Sequence, residues 1–258
     1  MIPQVDLRPP SVVMRLSRLG SFHQSRISFM RVLLRRIVSE NWRFDAPDWQ
    51  VDNAGVGHAV YTVHGPNHTY SLVAFAHDLP AELRSDRVIA EAWDATFTLH
   101  DGIPTAADIE RLRANVPLQE AGRISSKELT LARANRSVRL WEYVVDCLSR
   151  GEQPEAEQLY AVGYLMRTTA VYGSGKFGAS DRCDIMDRNS LRNPFQVEML
   201  TVYLIRNFVM DLVEHMARMR GGDTAVVLEP ELRRCTGIGN STGLGMAPFL
   251  VHHPALLN

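Results

Sequence analysis

The chain has 258 residues, of which 45% are hydrophobic and 22% are charged, so it is long and apolar enough for a buried core. Its formal net charge of −1 at pH 7 argues against a whole-molecule electrostatic attraction to nucleic acid or to an anionic membrane. Three widely spaced cysteines, no signal-peptide core and no apolar run of membrane-spanning length predict a cytoplasmic protein without a membrane partner.

Basic side chains are concentrated at the N-terminus, where residues 1–45 contain eight arginines. Apolar residues within 11–40 recur mostly at steps of three and four, which predicts an amphipathic helix with an arginine-rich face. One interpretation of this face is an arm that holds a polyanion or a partner subunit. The other, which we favour, is a solvated face of an ordinary surface helix.

Residues 57–100 have the composition of a small β-sheet. Two β-rich runs, 57–64 and 69–77, flank a Gly-Pro-Asn-His turn signal and predict a hairpin. Alternating apolar residues over 87–99 predict a third strand, although 86–95 also fits a helix. Because so small a sheet needs helices over one face, we expect it to pack against the rest of the chain.

From residue 105 onward the pattern predicts helices. Thr105 caps a short helix that ends before Pro117, and Ser125 with Glu128 forms a capping box that predicts a longer helix running to Gly151. Another helix is predicted over 155–171. A further helix, at about 194–220, begins at an Asn-Pro pair and is apolar on most of its circumference, so we expect it to be buried.

The predicted fold class is therefore α+β and predominantly helical. A small antiparallel three-stranded sheet near the N-terminus packs on a helical body around the buried central helix. We expect a single domain over 1–258, with a change in character between 1–104 and 105–258, and a homo-oligomer is compatible with it. The apolar C-terminal segment either docks into the body or continues in a longer gene product.

The strongest functional signal is Lys176, one of only two lysines among 28 basic residues. Lysine carries a compact charge whose pKa shifts readily, which arginine cannot supply. The surrounding glycines, Gly173 and Gly175 among them, match a GxGxxG pattern, but the predicted helical context excludes a dinucleotide fingerprint and the spacing excludes a P-loop. One interpretation is an anion site in which the backbone amides of a glycine turn and Lys176 bind the anion from one side and Arg167 binds it from the other. The alternative is a helix C-cap with a solvated lysine.

A second glycine-rich segment, 237–245, is predicted to be a loop before a helix start, where backbone amides receive an anion. Its alternative is a tight connection between helices. On the helix predicted after Glu128, a stripe of arginines at steps of three contains Arg136, which either binds the anion or neutralises nearby aspartates. The ligand-binding residues predicted here are Gly239, Asn240, Ser241, Thr242 and Arg136.

Acid–base chemistry has its candidates on the central helix and in an aspartate-rich turn. His215 beside Glu214 is a general acid or base, or else a hydrogen-bonded core histidine. Asp181 and Asp184 lie three residues apart and can hold Mg²⁺ against a phosphate, although an ion-paired surface loop is favoured and no metal is assigned. The predicted catalytic residues are Lys176, His215, Asp181 and Glu214.

The leading hypothesis is an enzyme, of lyase or transferase type, that acts on a small carboxylated or phosphorylated substrate. Two glycine-rich loops with Lys176 and Arg167 hold the anion. Its cofactor is unknown, Mg²⁺ through Asp181 and Asp184 being the candidate considered. The alternative is a non-catalytic nucleic-acid-binding or protein-assembly module that uses the arginine-rich N-terminal helix.

Overall fold

The computed structural model describes residues 33, 35–78, 93–114, 127–172 and 194–240. These residues form one sheet and several helices, and residues 35–39 are also helical. The strands are β1 (Arg43–Val51), β2 (Gly57–His64), β3 (Thr69–Asp78), β4 (Trp93–Asp101), β5 (Glu128–Arg136), β6 (Tyr164–Tyr172) and β7 (Gly237–Asn240). The helices are α1 (Ala106–Ala114), α2 (Trp141–Ser149), α3 (Ala156–Val162), α4 (Pro194–Gly221) and α5 (Pro230–Cys235), with a 3-10 turn at Gly222–Thr224.

The sheet is much larger than the sequence predicts. Its seven strands lie side by side in chain order, and the sheet curls into a half-barrel. Every pair of neighbours is antiparallel except β6 and β7, which run parallel. The prediction of a predominantly helical protein with a small three-stranded sheet is therefore wrong. The predicted hairpin is confirmed, since β2 pairs with β3, and β4 adds the predicted third strand beside them.

The first error concerns the segment after the predicted capping box. Glu128–Arg136 is not helical but forms β5, which pairs with β4 on one side and with β6 on the other. Its sequence, ELTLARANR, contains good helix formers, and helix propensity amounts to less than about 1 kcal/mol per residue. Pairing on both sides satisfies the backbone groups of this strand and overrides that preference.

The second error concerns the helix predicted over 155–171. The helix α3 ends at Val162, because Gly163 adopts a left-handed conformation with φ of +77° and ends the helix. Tyr164–Tyr172 then forms β6, a strand rich in threonine, valine and tyrosine. These residue types favour a pleated, half-buried surface over a helix. The glycine and the β-branched residues were the signals that the sequence-based prediction missed.

The predicted buried central helix is confirmed as α4. Its apolar side chains belong to one core with the concave face of the sheet, and α2 packs against it as well. Phe208 lies at the centre, with ring centroids 5.5 Å from Phe97, 5.9 Å from Trp49 and 6.4 Å from Tyr61. Contacts on opposite sides explain why this helix is apolar nearly all round. Among the helices described, none is long and apolar enough to cross a membrane.

The opposite, outer face of the sheet is covered in part by α1. Ile109 and Leu112 pack there against Val73 and Phe75. The predicted start of this helix is confirmed, because the amide of Asp108 donates to Thr105 Oγ1 at 3.2 Å. Other positions on the outer face are polar, and they form the candidate site.

Candidate functional site

A group of polar side chains lies on the outer face where β3 to β6 run side by side. Strand pairing places Phe75 opposite Thr96 and Thr96 opposite Arg133, so all three project from the same face. His77 follows two residues after Phe75 and shares its face, and Asn135 shares that of Arg133 and pairs with Arg167. We name five residues the outer-face cluster: His77, Thr96, Arg133, Asn135 and Arg167.

Two members of the outer-face cluster are buried despite their polarity. Thr96 is 0% exposed, and its hydroxyl has no hydrogen-bond partner in the described structure. Arg133 is 7% exposed although it carries a charge. A buried hydroxyl without a partner costs about 1–3 kcal/mol, so native proteins rarely keep one without a bound water or ligand to satisfy it.

The imidazole of His77 is neutral at pH 7. Neither ring nitrogen has a partner at good hydrogen-bonding geometry within the described part of the chain. Burial lowers the pKa of His77 from 6.5 to about 4, and the charge of Arg133 is the second cause of this decrease. The Phe75 backbone and the charge of Asp78 raise the pKa by smaller amounts. Because an anion beside Arg133 would offset the charge of that guanidinium, anion binding should raise the pKa of His77.

The structure brings Arg167 together with two other predicted ligand-binding residues. Arg167 is exposed on β6, where it pairs with Gly239 of β7, and the next pair along the strands is Thr168 with Asn240. The prediction that 237–240 belongs to a loop is wrong, since these residues form a strand. A glycine beside Arg167 leaves the surface there without a side chain.

The first glycine-rich segment follows β6 in the chain, and the second begins within β7. The GxGxxG pattern comes directly after the strand β6 and not after a helix. The predicted helix before the pattern, which was the reason for excluding a dinucleotide-binding fingerprint, is therefore wrong. Because β6 and β7 are parallel, the chain leaves both strands towards the same end of the sheet. Several predicted site residues lie outside the described residues and stay predictions: Lys176, Gly173, Gly175, Asp181, Asp184, Ser241 and Thr242.

Arg136 lies on the concave face rather than with the outer-face cluster. Its guanidinium stacks over the ring of Trp141 at 5.0 Å and donates to the carbonyl of Ala54 at 3.3 Å. Burial lowers its pKa to about 10. The predicted arginine stripe is not formed, because alternate residues of a strand point to opposite faces and Arg133 is therefore separated from Arg136.

His215 and Glu214 hold α4 to its neighbours. The Nε2 atom of His215 lies 2.9 Å from the carbonyl oxygen of Asp52, and its ring meets the edge of Trp49 at 5.5 Å. Glu214 Oε1 accepts a hydrogen bond from Arg233 at 2.8 Å. Both residues lie on the helix inside the sheet, and the structure does not bring them to Arg167.

Four members of the outer-face cluster were not predicted as site residues: His77, Thr96, Arg133 and Asn135. The available signal was the alternation in β4, where Thr96, Thr98 and His100 alternate with apolar residues. Such a strand normally places its polar face in water, but all three of these side chains are buried. Both faces of a strand are buried only when segments distant in the chain pack over them, and the local sequence pattern does not show whether they do.

No three His, Cys, Asp or Glu side chains lie close enough to hold a metal ion within the ranges that the structure describes. Comparison with known proteins finds no matching family model, no matching curated protein and no matching solved structure.

Proposed function

We propose that the protein binds a small carboxylated or phosphorylated molecule at the outer-face cluster. The observation that carries this proposal is the buried Thr96 hydroxyl without a partner, next to the buried guanidinium of Arg133. The five side chains of the cluster include two cations, Arg133 and Arg167, and Asp94 is the strand partner of His77 on the same face. Their donors match the oxygens of an anion, and arginine recognises carboxylate and phosphate groups through two parallel hydrogen bonds.

Each residue has a distinct part in this proposal. Arg133 supplies charge in a site of low dielectric, where its attraction for an anion is stronger than in water. Thr96 donates its hydroxyl proton to a ligand oxygen, and Arg167 closes the exposed side. His77, neutral at pH 7, is the group that accepts a proton from the bound ligand.

The glycine-rich segments extend the same proposal. Lys176, Gly173 and Gly175, which follow β6 in the chain, stay predicted ligand-binding residues of this proposal. The proposed reaction remains of lyase or transferase type, and the proposed location remains the cytoplasm. The free, buried Cys147 is compatible with a reducing compartment. His77 replaces His215 as the proposed base, because His215 contacts the Asp52 carbonyl on the other side of the sheet.

The test is calorimetric titration with succinate and glycerol 3-phosphate at constant ionic strength, with glycerol as the neutral control. We expect Arg167→Gln to weaken anion binding at least tenfold, which corresponds to about 1.4 kcal/mol. Arg218→Gln, which removes an exposed arginine from α4, is the matched control and should change the affinity less than twofold. Equal weakening by both variants would mean that the anions respond only to overall charge.

A second variant separates ligand binding from folding. Thr96→Val removes a buried hydroxyl that has no partner, so the ligand-free protein should be at least as stable as the wild type. The affinity for the anion should nevertheless fall, because the ligand loses a donor. A variant that binds the anions as tightly as the wild type would remove Thr96 from the site.

The competing function is polyanion or partner binding by the arginine-rich N-terminal segment. In the described part of that segment, Arg36 already pairs with Glu40 at 3.0 Å and stacks over Trp42 at 5.8 Å. Binding of this kind would weaken steeply as salt is raised, with a slope set by the number of phosphates contacted. The Arg167→Gln variant would leave such binding unchanged.

A further inference from the structure

A cavity of about 280 Å³ opens on the concave side of the sheet, between the first two strands and α4. The apolar part of its lining contains Phe44, Ala46 and Leu204. Phe44 is only half-buried, although its ring meets the Tyr203 ring at 5.2 Å. The volume is slightly below the range of about 300–1,000 Å³ that is usual for drug-sized ligands, so the cavity suits a smaller molecule with an apolar body.

The charged groups of the lining are already bonded to one another. The hydroxyl of Tyr61 donates to Asp211 Oδ2 at 2.6 Å, and Arg233 donates to Asp211 Oδ1 at 3.3 Å. Arg233 also donates to Glu214 at 2.8 Å. Burial, together with the negative charge of Asp211, raises the pKa of Tyr61, so its hydroxyl stays a donor. The carboxylate of the cavity is therefore held from two sides.

Asp45 borders the cavity without adding a second carboxylate to it. Phe44 and Asp45 are consecutive residues of β1, so their side chains point to opposite faces of the sheet. The Asp45 carboxylate accordingly lies 3.0 Å from His64 Nε2. Among the described lining residues, a ligand with a net charge of either sign would thus find no unpaired counter-ion.

Asn207 is the polar group of the lining that is not engaged. Leu204, Asn207 and Asp211 follow one another on α4 at steps of three and four, so they share the helix face that lines the cavity. Asn207 is half-buried, and its side-chain amide forms no hydrogen bond within the described ranges. This amide presents an acceptor oxygen and a donor nitrogen side by side in one plane.

We propose that this cavity binds a small uncharged molecule whose recognised group is a primary carboxamide. A carboxamide has the same planar pair of acceptor and donor as Asn207, so two parallel hydrogen bonds join the two groups. The apolar body of the ligand lies against Phe44 and Leu204, where its burial contributes to affinity. This site is independent of the proposed anion site, because none of its lining residues belongs to the outer-face cluster.

The probes are benzamide, benzoate and benzamidine, which have nearly the same shape and are neutral, anionic and cationic at pH 7. In calorimetric titrations at constant ionic strength, we expect saturable binding of benzamide. Benzoate and benzamidine should each bind about tenfold more weakly, because they present two acceptors or two donors to Asn207 and lose one of the two hydrogen bonds.

Replacing the amide with a carboxylate should exchange the preferred ligand. Asn207→Asp presents two acceptors, so it should bind benzamidine more tightly than benzamide. A variant that was merely damaged would weaken both ligands and would not reverse their order. Asn53→Asp adds the same charge at an exposed residue between β1 and β2, and this matched control should keep the wild-type order of affinities.

A second variant protects the test against misfolding. Asn207→Leu keeps a side chain of similar size, favours the helix and removes both the donor and the acceptor, so it should fold and bind benzamide about tenfold more weakly. The proposal is overturned if benzoate binds as tightly as benzamide, or if folded Asn207→Asp and Asn207→Leu both keep wild-type affinity for benzamide. Arg167→Gln should not affect benzamide binding, so failure of this proposal and failure of the anion site give different results.

Discussion

Replacing Thr201 with valine tests a buried hydrogen bond between α4 and the unpredicted strand β5. Thr201 Oγ1 lies 2.8 Å from the carbonyl oxygen of Val197 and 2.9 Å from Thr130 Oγ1. Both threonines are completely buried. The single hydroxyl proton of Thr201 is directed to Val197, so Thr130 must be the donor in the bond between the two threonines.

This direction of donation makes the two threonines unequal. Thr201→Val leaves the Thr130 hydroxyl buried without an acceptor, which should lower the free energy of unfolding by about 1–3 kcal/mol. Thr130→Val leaves the bond from Thr201 to Val197 intact and should cost less than about 1 kcal/mol. The double variant contains no unsatisfied hydroxyl, so its stability should be close to that of Thr130→Val.

The assay is urea unfolding of the wild type, both single variants and the double variant, followed by tryptophan fluorescence. The double-mutant cycle should give a coupling energy of about 1–3 kcal/mol between the two positions, equal in size to the cost of Thr201→Val. Equal costs for the two single variants, with an additive double variant, would refute the assigned direction of the hydrogen bond.

Two further predictions concern pH and backbone conformation. The pKa of His77 is about 4 in the folded protein and 6.5 when unperturbed, so the unfolded chain binds more protons between these values. Stability that is fully present above pH 6.5 should therefore be lost as the pH falls towards 4, and His77→Gln should flatten this part of a plot of urea midpoint against pH. Gly55 and Gly102 both have left-handed backbones, with φ of +78° and +87°. A methyl group at Gly102 meets nothing within 4 Å, so Gly102→Ala should cost about 1–2 kcal/mol, whereas at Gly55 it would lie 2.8 Å from a methionine sulfur. Thermal unfolding should show a larger loss for Gly55→Ala, by about 1–3 kcal/mol, and equal losses would refute the steric argument.

Much of the candidate site was beyond the reach of the sequence. Arg167 was predicted to bind the anion because it is a cation near a glycine-rich segment, and Gly239 was predicted because it belongs to the second such segment. Thr96 was not considered, and Arg133 was considered only as part of a helical arginine stripe, because the importance of both residues depends on burial, which distant segments supply. A threonine in a strand is unremarkable until its hydroxyl is enclosed without a partner.

By itself, the sequence determined the elements whose causes are local. The hairpin follows from its turn residues, the start of α1 from the Thr105 cap, and α4 from an apolar pattern that suits a buried helix. Each of these signals acts over a few residues. They were therefore visible without knowledge of the rest of the chain.

Only the tertiary structure decided the size of the sheet and the face on which each site residue lies. β5 and β6 become strands because each finds backbone partners on neighbouring strands, at residues far away in the chain. That gain outweighs weak local preferences for helix. Once β5 is a strand, its alternation separates Arg133 from Arg136 and places only Arg133 beside Thr96.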